Sequence, residues 1–132
     1  MAQGYILNKG AVQTFLIEVK SILTSKNGEL RIIDRNDKPA GYNTIDCRTA
    51  LGIDNSDIKE YIKKLTIKDY VETCDDERNK KANAYYIFCI EIQNRQIYIK
   101  IKIQSYNKKI VLYMSFHFAQ YTIKKFPYRR GE

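Results

Sequence analysis

Between positions 96 and 104 the chain reads QIYIKIKIQ, a strict two-residue alternation. A helix would scatter these isoleucines around its circumference. A strand instead puts Ile97, Ile99, Ile101 and Ile103 on one face and Tyr98, Lys100 and Lys102 on the other. Such a segment settles only as a sheet strand with a core beneath it and an open, cationic face above. Two neighbouring segments carry the same period. Over 85–92, Tyr86, Phe88, Ile90 and Ile92 alternate with Tyr85, Ile87, Cys89 and Glu91. Over 110–118, Ile110, Leu112, Met114, Phe116 and Phe118 are expected inside, with Val111, Tyr113, Ser115 and His117 on the polar side.

Pairing these segments as an antiparallel meander fixes which residues meet. A hairpin turn at Asn94-Arg95 sets Glu91 opposite Tyr98 and Cys89 opposite Lys100. A turn near Asn107-Lys108 sets His117 opposite Tyr98, and a turn at Tyr106-Asn107 sets Ser115 there instead. Either register brings Tyr98 and His117 close.

The N-terminal half reads as helical. Val12, Phe15, Leu16, Val19, Ile22 and Leu23 fall at helical spacing, with Asn27-Gly28 as a stop. Positions 29–34 (ELRIID) predict a short strand, an edge strand or extended arm, closed by the turn-rich RNDKPAG. A short helix over 44–52 packs Ile45, Ala50 and Leu51 and ends at Gly52. The next is capped by Asp54 or Ser56 and carries an Ile58, Tyr61, Ile62 and Leu65 stripe. Positions 68–83, dense in both charge signs, are expected to form a loop. The fold expected is α+β. One domain spans 1–132: about 1–67 mainly helical and packed on the sheet, about 84–118 an antiparallel three-stranded meander, and 119–132 a basic tail.

Charge is segregated along the chain. Positions 1–83 hold 14 Lys and Arg against 13 Asp and Glu, whereas positions 84–132 hold nine against two, which places most of the net charge of +8 in the C-terminal third. That asymmetry points to a polyanionic partner, first of all a phosphate-bearing one such as a nucleic acid. No apolar run is long enough to span a bilayer, so no membrane partner is expected. The first residues lack the pattern of a secretory signal, and the cytoplasm is the default location. Three cysteines, Cys47, Cys74 and Cys89, are odd in number and form no CxxC pair, which argues for reduced thiols and against a zinc site. No cofactor motif is visible. Glu72, Asp75, Asp76 and Glu77 could bind a metal or act as a base, but an acidic run in a loop is usually solvated.

The run LTIKDYVETCDDERNKKANAYYIFCIEIQNRQIYIKIKI, closed by SFHFAQY and FPY, resembles the MqsR-like toxins of bacterial type II toxin-antitoxin systems, small ribonucleases of the broader RelE-like fold. The resemblance covers roughly positions 50–128 and rests on DY after a helix, YIK in the middle strand and SF at the last strand. It implies a metal-independent endoribonuclease cleaving mRNA, restrained by a co-expressed and acidic antitoxin, with its active face on the sheet. It maps Tyr98 and Lys100 onto the stretch bearing the family's catalytic tyrosine, and His117 onto a basic position following SF. Two positions depart from the family. Glu72 stands where it has a lysine and Ile87 where it has a glutamine, as in a divergent YIKLK/SFH branch.

Metal-free RNA cleavage needs a base for the 2′-hydroxyl, an acid for the leaving 5′-oxygen, and fixed positive charge at the phosphorane-like transition state. His117, the sole histidine, can serve as acid or base. Tyr98 can donate a proton, hydrogen-bond a phosphate oxygen or stack a base, and Lys100 can meet the phosphate. Lys102, Tyr113, Ser115, Tyr121 and Arg129 are expected to bind substrate, with Asp69 and Glu72 as further candidates. Two other readings stay open: a non-catalytic RNA- or DNA-binding module using the basic face, and an interaction module for an acidic protein partner. Lysines that merely keep a sheet soluble would look the same.

Overall fold

A computed structural model describes residues 4–26, 28–33, 39–76, 83–106 and 109–129. The first helix, α1 (Lys9–Thr24), begins where the Asn8 side chain accepts a hydrogen bond from the Ala11 N–H, and its Val12, Phe15, Leu16 and Val19 are buried. It stops at Ser25, whose N–H returns to the Ile22 carbonyl, so the stop comes two residues before the expected Asn27, which lies outside the described residues. Gly28 opens β1 (Gly28–Ile32) immediately afterwards. A Cβ at position 28 would stand against the carbonyl oxygen and side chain of Ile22, so glycine lets the strand leave the helix this tightly. Asp34 and most of the RNDKPAG turn also lie outside the described residues.

Helix α2 (Thr44–Leu51) is capped by Asn43 and ends at Gly52, which adopts φ +69°. It buries Thr44, Cys47 and Leu51, spaced i, i+3, i+7; Ile45, expected to pack, is 54% exposed, and Ala50 is exposed as well. Helix α3 (Asn55–Lys63) starts in a reciprocal capping box between Asp54 and Asp57, so Asp54, not Ser56, is the cap. Its Ile58 and Ile62, with Leu65 beyond its end, are buried.

The segment expected as a loop contains a strand, β2 (Tyr70–Cys74), reached through a single 3₁₀ turn at Ile67–Asp69. Two strands follow as expected, β3 (Tyr85–Ile92) and β4 (Arg95–Tyr106), and β5 (Lys109–Phe118) completes the sheet. The order is β1-β5-β4-β3-β2. The β3–β4–β5 meander is antiparallel, and β2 pairs antiparallel with β3. β1 runs parallel to β5, Gly28 beside Ile110 and Ile32 beside Met114, so the sheet is mixed where an antiparallel one was expected. The fold is α+β.

The β3–β4 turn is at Gln93-Asn94, not Asn94-Arg95; both residues have positive φ, 53° and 64°, the twist that a two-residue hairpin favours. Moving the turn one residue moves every partner by two, so Cys89 rather than Glu91 faces Tyr98, while each strand keeps its expected faces. One core results, with Phe88, Ile97, Ile99, Ile101, Leu112, Met114 and Phe116 under the buried stripes of the three helices. No helix among the described residues is long and apolar enough to cross a membrane.

Positions 119–129 do not hang away as a tail. The Gln96 side chain grips the Ile123 backbone twice, donating to its carbonyl at 2.9 Å and accepting from its N–H at 2.7 Å. Tyr128 stacks on buried Tyr70 at 6.0 Å and donates its hydroxyl hydrogen to the Leu7 carbonyl.

Candidate functional site

On the face away from the helices, the sheet lays its side chains in rows. One row is Cys89, Tyr98 and His117; the next is Glu72, Ile87, Lys100 and Ser115; the third is Cys74, Tyr85, Lys102, Tyr113 and Arg31. Strand pleating alone produces this order, because each row is two residues further along every strand.

In the first row the Tyr98 and His117 rings stack, with centroids 5.1 Å apart and planes within 19°. His117 Nδ1 lies 3.0 Å from the Phe118 carbonyl oxygen. A carbonyl only accepts, so Nδ1 carries the hydrogen of this contact. His117 is only 6% exposed, however, and Val111 on the same face is wholly buried, whereas Ile110, expected inside, is 49% exposed at the start of β5. The face expected to be open is therefore partly closed. Burial raises the Cys89 thiol to about 11, a tendency that the nearby Arg129 charge opposes and Asp69 reinforces. A thiol held protonated is a poor nucleophile, in line with a packing role for Cys89.

In the other two rows, Lys100 and Lys102 converge on one aromatic ring, their ammonium nitrogens 4.5 and 4.9 Å from the Tyr85 centroid. Lys102 also lies 5.3 Å from Tyr113, which receives Arg31 at 5.8 Å from β1. Tyr85, Lys102, Tyr113 and Arg31 therefore form an alternating aromatic and cationic row across four strands. Lys102 does not project into solvent. It is 7% exposed and its Nζ meets Asp76 Oδ2 at 2.8 Å. Asp76, expected as a solvated loop acid, is itself 8% exposed.

The remaining candidates are distributed differently. Ser115 is the direct neighbour of Lys100. Glu72 faces Ile87 in that row, so the two positions that depart from the family pattern are cross-strand partners beside Lys100. The Glu72 carboxylate lies where a Cβ on residue 4 would be, and glycine there admits it. Asp69 caps the 3₁₀ turn by accepting from the Thr66 N–H at 3.0 Å. Arg129 donates to the Lys68 carbonyl at 3.4 Å and covers the Phe126 ring at 3.5 Å, which ties it to the structure near the 3₁₀ turn. Tyr121 is 82% exposed. Glu77 lies outside the described residues, and among those described no group of three His, Cys, Asp or Glu could hold a metal.

Sequence reasoning missed the Asp76 pairing and the Tyr85 platform. Asp76 carried no usable signal, since it follows a strand hidden by a bulge. Tyr85 did carry one, because the alternation of β3 already set it on the face of Lys100 and Lys102. In comparisons with family models, curated proteins and solved structures, none matches this chain.

Proposed function

We propose that the chain is an endoribonuclease toxin that cleaves mRNA without a metal and is restrained by an acidic antitoxin. The observation that carries this reading is the Tyr98–His117 stack with Lys100 in the adjoining row. In this reading His117 Nε2 exchanges the proton of the 2′-hydroxyl or of the leaving oxygen, Tyr98 hydrogen-bonds a phosphate oxygen, and Lys100 offsets the charge that builds on the phosphorane. Ser115 and Tyr113 flank the path of the strand, and Tyr121 offers a ring for a base. The net positive charge of positions 84–132 favours a polyanion such as RNA as the partner.

Incubating the purified protein with end-labelled RNA, with and without chelator, tests the proposal. The expected result is chelator-resistant cleavage leaving 2′,3′-cyclic phosphate ends that disappears in His117→Ala. Intact RNA under all conditions overturns it.

A second reading, a nucleic-acid-binding module without chemistry, is favoured by the burial of His117 and by the engagement of Lys102 with Asp76. It predicts salt-sensitive RNA retention with no cleaved product.

A further inference from the structure

The Lys102–Asp76 pair is the one buried ion pair among the described residues, and it sits inside the cationic face rather than at its margin. Two ammonium groups lie against one Tyr85 ring, within roughly 9 Å of each other. That separation is inside the ~10 Å Debye length of 0.1 M salt, so the two charges repel and draw an anion to the space they share. Burial sharpens the demand, because a cation removed from water requires a partner. Asp76 answers it from the end of β2, two residues beyond Cys74.

We infer that the Asp76 carboxylate is an internal stand-in for an RNA phosphate, occupying the anion position of Lys102 beside Lys100 and Tyr85 and competing with RNA for it. The inference rests on the reading of this face as an RNA surface, and it adds a brake to that surface. While Asp76 is seated, RNA meets Lys100 and the rim. When a phosphate displaces it, Lys102 joins the contact and the strand advances toward Tyr113. A carboxylate offers two acceptor oxygens and a full negative charge, so an ammonium group exchanges it for a phosphate without losing a charge-assisted hydrogen bond.

The test uses Asp76→Asn and the double variant Asp76→Asn/Lys102→Gln, with two probes. Against single-stranded RNA, Asp76→Asn is expected to bind more tightly than the unaltered protein, with a log–log salt dependence steeper by about 0.7, the contribution of one added phosphate contact on a single strand. The double variant should return to the original slope. A gain that persists in the double variant overturns the inference, since that variant carries the net charge of the unaltered protein and has no Lys102 ammonium to receive the phosphate. Inorganic phosphate, compared with chloride at matched ionic strength, should raise the melting temperature of Asp76→Asn by several degrees more than that of the unaltered protein. If Asp76→Asn does not fold, recovery of its fold by phosphate but not by chloride carries the same meaning, and failure in both overturns the inference. A phosphate response with no RNA binding by any variant retains the anion site and discards the RNA reading instead.

Discussion

Tyr98 and His117 are direct cross-strand partners on β4 and β5, and their rings stack at 5.1 Å while the His117 Nδ1 hydrogen is taken by the Phe118 carbonyl. The imidazole is thereby held in one tautomer and one plane. The ring of Tyr98 covers one side of the imidazole.

Replacing His117 by Gln is expected to lower RNA cleavage by about 100-fold, the lower end of what positioned acid–base groups contribute. Tyr98→Phe keeps the stack and removes only the hydroxyl, so it separates ring from proton. Product yield from labelled RNA, measured beside the melting temperature, checks both. Wild-type cleavage by a folded His117→Gln protein removes His117 from the chemistry.

Lys100 and Lys102 should behave differently although they share a ring. Lys100→Ala is expected to flatten the log–log salt dependence of RNA binding by about 0.7 with little change in stability. Lys102→Ala removes the ammonium group that meets buried Asp76 and should cost about 3 kcal/mol of stability, while hardly altering the slope. Urea unfolding alongside RNA titration at several salt concentrations distinguishes the two patterns.

Alkaline conditions should weaken the fold through its buried thiols. Burial raises Cys47 and Cys89 from the ordinary 9.0 to about 11. Below pH 9 both the folded and the unfolded chain keep these protons, and the full stability is present. As pH rises from 9 toward 11 the unfolded chain releases them first, so stability falls across that window. Urea midpoints at pH 8, 9.5 and 10.5 should show the decline, and a Cys47→Ala/Cys89→Ala variant should decline less steeply. Equal slopes would remove the thiols as its cause.

The C-terminal segment is a structural clasp as well as a basic one. Tyr128→Phe removes the hydroxyl donated to the Leu7 carbonyl and should cost about 1 kcal/mol. Tyr128→Ala also removes the ring stacked on Tyr70 and should cost about 3 kcal/mol or more. Chemical denaturation reads both, and an unchanged midpoint in Tyr128→Ala would show that the clasp holds nothing.

The parts legible in the sequence are those governed by a local period. The alternation of β3, β4 and β5 announced the three central strands, their faces and the approach of Tyr98 to His117. β2 stayed hidden because a register shift between Tyr70 and Glu72 breaks its alternation and charged residues follow it. The parallel seating of β1 was not legible, since five residues with a mixed pattern look alike in either direction. Burial of His117 and Lys102 escaped for a different reason. Pleating tells which side a residue takes, but not what crosses over that side.

The partnership of β1 with β5 also orders events in time. Gly28 waits for Ile110, about 80 residues later in the chain, before its strand has a neighbour. At translation rates of about 5–20 residues per second, that strand stays unpaired for roughly 4–16 seconds on the ribosome. The helices that cover the sheet are made before the sheet exists, and their apolar stripes must be shielded meanwhile. The Tyr98–His117 row cannot assemble until β5 has left the exit tunnel, so it forms later than the β3–β4 hairpin that supplies Tyr98.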